Sequence, residues 1–143
     1  MKRPHLLVVE EGPERFAPLF TAAREIGLRI GWLDFPDPSA PTAPPPALPA
    51  DLEAAAGQGA LRAVAAGGGR SVAVKPLRGA PVLGDLLREH FRGCALVLVR
   101  GAVEAPRLTL EGESWKVAQP GEAARLYATG DLAAALRRPR PWT

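Results

Sequence analysis

Four apolar runs in this chain end in charge. Leu6 to Val9 runs into Glu10-Glu11, Leu28 to Leu33 into Asp34, Ser71 to Val74 into Lys75, and Ala95 to Val99 into Arg100. Each run has the length and content of a strand. In an open parallel sheet, ligands sit at the carboxyl ends of the strands, where helix N-termini and free backbone N–H groups converge. The candidate ligand-binding residues are therefore Lys75, Arg78, Gly79, Arg100 and Asp34. The segment Lys75-Pro76-Leu77-Arg78-Gly79-Ala80-Pro81 is the most specific of these features. It follows a strand and opens a helix, so two cationic side chains join the positive end of a helix dipole. A small anion such as phosphate or carboxylate fits that arrangement. The competing expectation is internal pairing of Lys75 or Arg78 with Glu10, Glu11 or Asp34. A second competing reason for the pattern is that strands commonly end in polar residues where they meet water. Glu10 or Glu11 could act as a general acid or base if buried.

Other chemistry has less support. Ser39, Ser71 and Ser114 are the only serines, and none lies in G-x-S-x-G. A single cysteine, Cys94, excludes a disulfide framework and a Cys-based zinc site; it reads as a buried structural thiol. With only His5 and His90 as imidazoles, no metal site is expected, and no motif names a cofactor. His90 reads as a helix-end histidine. Gly67-Gly68-Gly69 follows a helix-prone stretch, the reverse of the strand-to-helix order of a phosphate loop.

Two resemblances can be tested against these positions. Glu10-Glu11 after the first strand resembles the magnesium-binding acidic pair of receiver domains. That family needs an aspartate at the end of its third strand, where Lys75 stands, so a working receiver is not expected. Asp34 resembles the ribose-binding acid of dinucleotide folds, but the first turn, Glu11-Gly12-Pro13-Glu14-Arg15, lacks G-x-G-x-x-G.

The elements that would position these residues follow from periodicity. Phe16, Leu19, Phe20, Ala23 and Ile26 give one apolar helix face after Pro13, with Gly27 as its stop. Asp51 to Ala66 is alanine-rich and helix-prone, interrupted at Gly57 and Gly59. Pro81 opens a helix with Val82, Leu83, Leu86, Leu87, His90 and Phe91 on its apolar side, stopped at Gly93. Leu108 and Leu110, then Trp115 and Val117, alternate about Gly112 as a β-hairpin, with Trp115 expected as an exposed interface aromatic. A weak helical piece follows Gly121, and Thr129 is placed to cap a last helix over 131–137. The expected fold is α/β, a Rossmann-like or flavodoxin-like layered domain. Its sheet would be mostly parallel, in order about 2-1-3-4, plus the antiparallel hairpin. A single domain is expected over 1–136. It carries a proline-rich surface segment at 35–50, a spacer or partner-docking strip, and residues 137–143 form a basic flexible tail ending at Trp142.

The chain has 143 residues and a net charge of +3, with fifteen arginines, three lysines and no asparagine. Residues 1–56 hold five basic and eight acidic side chains; the rest hold thirteen and seven. That surplus permits an anionic partner, but nucleic acid is not expected because no basic run is interleaved with aromatics. No apolar run is long enough for a membrane span or a signal-peptide core, so a cytoplasmic protein without membrane contact is expected. Three functions remain open. One is a binding or regulatory module with a small anionic ligand at the Lys75–Pro81 loop. The second is a compact enzyme using Glu10 or Glu11. The third is a protein–protein adaptor or subunit using the proline segment, hairpin edge or tail.

Overall fold

The computed structural model describes residues 3–35 and 49–142. Most of the proline-rich segment, 36–48, lies outside the described residues. In chain order the elements are β1 (His5–Val9), a 3-10 turn (Pro13–Phe16), α1 (Ala17–Glu25), β2 (Ile30–Phe35), α2 (Ala50–Gly57), β3 (Ala63–Gly67), β4 (Arg70–Val74), α3 (Leu83–His90), β5 (Leu96–Gly101), β6 (Arg107–Glu111), β7 (Ser114–Ala118), β8 (Arg125–Tyr127) and α4 (Thr129–Ala135). They divide into two compact units, Met1–Asp37 with Val82–Thr143, and Pro38–Pro81.

The first unit is built on a six-stranded sheet in the order β2-β5-β1-β6-β7-β8. The first four strands run parallel, and β7 then pairs antiparallel with β6 on one side and β8 on the other. This order differs from the expected 2-1-3-4. The cause is the apolar run Leu96-Val97-Leu98-Val99, in which all four residues are fully buried. Such a run must be covered on both faces and paired on both edges. It therefore sits between β1 and β2, and the β1–α1–β2 crossover spans the gap that β5 fills. Leu7, Val9, Leu96 and Leu98 point to one face, where they meet Phe16 and Leu19 before and within α1 and Leu132 of α4. Val97 and Val99 point to the other, against Leu87 and Leu83 of α3 and the crossing residue Val103. The result is three layers with helices on both faces of the sheet.

The hairpin β6–β7 forms at the expected residues, but it carries a third strand. Arg125–Tyr127, expected as helical, pairs with β7 as β8. Trp115 is 1% exposed rather than an interface aromatic, because Phe16 and α4 cover its face of the sheet. Its ring stacks on Phe16, centroids 5.7 Å apart. Thr129 does not cap α4; Ala128 occupies that position, and the Thr129 hydroxyl accepts the Trp115 indole N–H at 2.8 Å. The C-terminal residues through 142, expected as a flexible tail, fold back onto the domain. Arg137 donates to the Ile26 carbonyl, and Trp142 is 7% exposed, edge-on to His5 and Tyr127 at 6.3 and 6.2 Å. Burial of an indole of this size outweighs the solvation of its basic neighbours, which stay at the surface.

The second unit is α2 packed on a two-stranded antiparallel sheet, β3–β4. Two expectations change here. The helix does not reach Ala66; it stops at Gly57, and the alanine-rich stretch beyond it becomes β3. Residues 71–75 do not join the main sheet: among the described residues β4 pairs only with β3. The reason lies in Gly68-Gly69. Both have positive φ, 58° and 76°, the two-residue turn that matches the twist of a hairpin. The triple glycine is thus a strand reversal rather than a helix stop. Among the described residues no helix is long and apolar enough to cross a membrane.

Candidate functional site

The carboxyl ends of the parallel strands gather most of the expected charge. Asp34 and Arg100 are register partners on adjacent strands. Side chains at matched positions of a sheet point the same way, and here Arg100 Nε donates to Asp34 Oδ1 at 2.7 Å. Trp32 lies two residues before Asp34 on the same face, and the Arg100 guanidinium stands 5.4 Å from its ring centroid, within cation–π range. The Asp34 hydrogen bond and charge raise the Arg100 pKa above its ordinary value, and the charge of Glu14 adds to this. Gly12 lies close by: a side chain there would begin 2.8 Å from Glu14 Oε2 and 3.9 Å from Arg100 Nη1.

The two acids that follow β1 are also engaged. Glu10 accepts from Arg107, the first residue of β6, whose backbone is in register with Val8. Glu11 pairs with Arg15 at 2.8 Å. Both acids are exposed. The structure therefore brings Asp34, Arg100, Glu10 and Glu11 to one end of one sheet and joins each to a partner of opposite charge. Chemically, this edge holds strand ends together through surface pairs, and an anion arriving at Arg100 would compete with Asp34 for the same donors.

Lys75, Arg78 and Gly79 belong to the second unit. The premise that their loop crowns a strand of the main sheet fails, since β4 is a hairpin strand. The loop is nonetheless open: Arg78 and Gly79 are exposed, and a Cβ at Gly79 would meet nothing within 4 Å. Lys75 is half-buried and engaged. Over residues 58–81 the chain carries four cations, Arg62, Arg70, Lys75 and Arg78, and no carboxylate. The same segment exposes apolar side chains, Leu61 at 88% and Val64, Val72 and Leu77 at about half.

Sequence reasoning missed the arginines that neutralise the sheet edge. Arg15 was legible four residues after Glu11, the spacing of neighbours on a helical turn. Arg107 was not, because its distance from Glu10 depends on which strand β6 joins. Cys94 lies next to α3's apolar face, and burial pushes its thiol pKa up, with Arg29 opposing. Among the described residues no cluster of three or more histidines, cysteines, aspartates or glutamates is placed to hold a metal ion.

These features define a three-layer α/β unit with an ion-paired strand edge, joined in sequence to a small basic hairpin unit. Compared with protein-family models, curated proteins and solved structures, the chain matches none.

Proposed function

We propose that the chain is a binding module for an anionic partner, with the hairpin unit and its Lys75–Pro81 loop as the recognition surface. One observation carries this reading: residues 58–81 combine four cations with no carboxylate on an exposed hairpin and loop. Arg70 and Arg78 stand exposed there, and exposed cations attract an anion over a Debye length and hold it by charge-assisted hydrogen bonds. The layering of the main sheet supports a doubly wound, Rossmann-like reading of the other unit, with a strand order of its own. Catalysis by Glu10 or Glu11 has less support. Acid–base work is built by burying a carboxyl group, and both stand exposed beside an arginine.

The exposed apolar residues between the cations favour a second reading, in which the anionic partner is an acidic protein segment. Among the described residues neither outer edge of β3–β4 pairs with another strand, which suits strand addition, and apolar side chains would supply the contact area. Thermal-shift and calorimetric titration with inorganic phosphate, pyrophosphate and poly-glutamate tests both. Phosphate or pyrophosphate should raise the melting point of the native chain if the ligand is small. Response to poly-glutamate alone selects the protein partner. Lys75→Ala/Arg78→Ala should abolish binding in either case; unchanged affinity in that double variant would refute the proposal.

A further inference from the structure

A cleft of about 390 Å³ opens on the first unit beside α3. Its size falls within the range of small-molecule sites. Pro4, Leu87 and Phe91 supply an apolar lining, and Arg3, Arg88 and Arg92 supply the charge, with no acidic residue in its wall among the described residues. Gly84 completes it, and a side chain there would begin 3.7 Å from Arg88 Nη1. We infer that this cleft is a site for a small amphipathic anion, a phosphate or carboxylate carried on a flat apolar body.

The lining is held in place before any ligand arrives. Leu87 is 4% exposed and packs on Val97 and Val99. Phe91 lies over Gly31 so closely that a Cβ there would begin 2.4 Å from its ring, so the ring position depends on that glycine. Arg92, two residues past the end of α3, is oriented by that helix: its Nε donates to the Arg88 carbonyl at 3.1 Å, in the last turn of α3. Its two terminal nitrogens carry donors beyond that bond. Arg88 is paired with Asp85 and so contributes less net charge. Arg3 and Arg92 are then the main anion-binding groups. A bare anion would gain only their exposed electrostatics, which water and salt weaken. An apolar body against Phe91 and Leu87 would add buried area and exclude that water. The chemistry of the wall therefore selects charge and ring together.

This site shares no residue with the hairpin surface, so the two proposals can fail separately. The test is ligand-observed NMR and calorimetry on the full chain with phenyl phosphate, inorganic phosphate and phenol. Phenyl phosphate should bind at least about tenfold more tightly than either fragment, with ring protons showing transfer from Phe91. Arg3→Ala, which alters no element of the fold, should weaken it about tenfold, the loss of one charge-assisted contact. Arg92→Ala should do at least as much, and Lys75→Ala/Arg78→Ala should leave it unchanged. Equal binding of phosphate and phenyl phosphate would overturn the inference. So would full binding by Arg3→Ala with Arg92→Ala, or loss in the Lys75/Arg78 double variant.

Discussion

Trp115 donates its indole N–H to the hydroxyl of Thr129 at 2.8 Å, and this bond links the turn end of the antiparallel hairpin to the first residue of the last helix. The indole is 1% exposed, so water cannot replace a lost acceptor. Thr129→Val keeps the shape and removes the acceptor. It should cost about 1–3 kcal/mol in urea unfolding, the penalty of an unpaired buried donor, while Thr129→Ser should recover most of it.

Trp142 is the second anchor of that region. It closes over His5 and Tyr127, and the Tyr127 hydroxyl reaches the Pro141 carbonyl at 3.4 Å. Trp142→Ala should lose about 3 kcal/mol, the loss typical of a truncated buried aromatic. For a chain of this size that is a fall of roughly 10 °C in Tm. A tail in solvent would show no change, so calorimetry of this one variant separates the two arrangements.

Gly101 ends β5 at φ 150° with its α-carbon against the neighbouring strand. A Cβ there would begin 1.8 Å from the Phe35 carbonyl oxygen, and a backbone atom cannot swing aside as a side chain can. Gly101→Ala should part the ends of β2 and β5. We expect a destabilisation above the roughly 1–3 kcal/mol of ordinary overpacking. Faster amide exchange at Asp34 and Phe35 should accompany it.

The Cys94 thiol is held above its ordinary pKa, chiefly by burial, with Arg29 opposing. A group raised in the folded state contributes its full stability below the unfolded pKa and loses it as pH rises toward the folded one. Stability should therefore fall on the alkaline side of the ordinary cysteine pKa, and Cys94→Ala should flatten that fall. Native chain at pH 8 should also react with a disulfide reagent more slowly than urea-unfolded chain, since the thiolate is the nucleophile. Equal rates would contradict a desolvated thiol.

Arg100 can be tested through its neighbour. Because its guanidinium stands over Trp32, Arg100→Gln should shift the fluorescence of that indole. Asp34→Asn should shift it too, by releasing the Nε that Asp34 orients. An unmoved spectrum in both variants would show that the pair does not hold its position in solution.

Local chemistry determined a good deal by itself. The apolar runs at 5–9, 30–35 and 96–101 are strands, the face Phe16-Leu19-Ala23 is the buried side of a helix, and the alternation at 108–117 is a hairpin. These readings hold because period-2 and period-3.6 patterns record which side chains must leave water, whatever the partners are. The Asp34 and Arg100 positions were legible for the same reason, as the polar ends of apolar strands. Tertiary structure alone decided who stands beside whom. Only the burial of Leu96–Val99 on both faces places β5 between β1 and β2, and so sets Arg100 beside Asp34 rather than beside Lys75. Likewise, only the antiparallel pairing of β4 with β3 removes residues 70–74 from the main sheet, although two glycines with positive φ announce that turn. Trp115 and Trp142 carry no local mark of their burial, because what covers an aromatic is contributed by residues far away in the chain. Pairing and coverage are non-local, and their free energy enters only once distant segments have met.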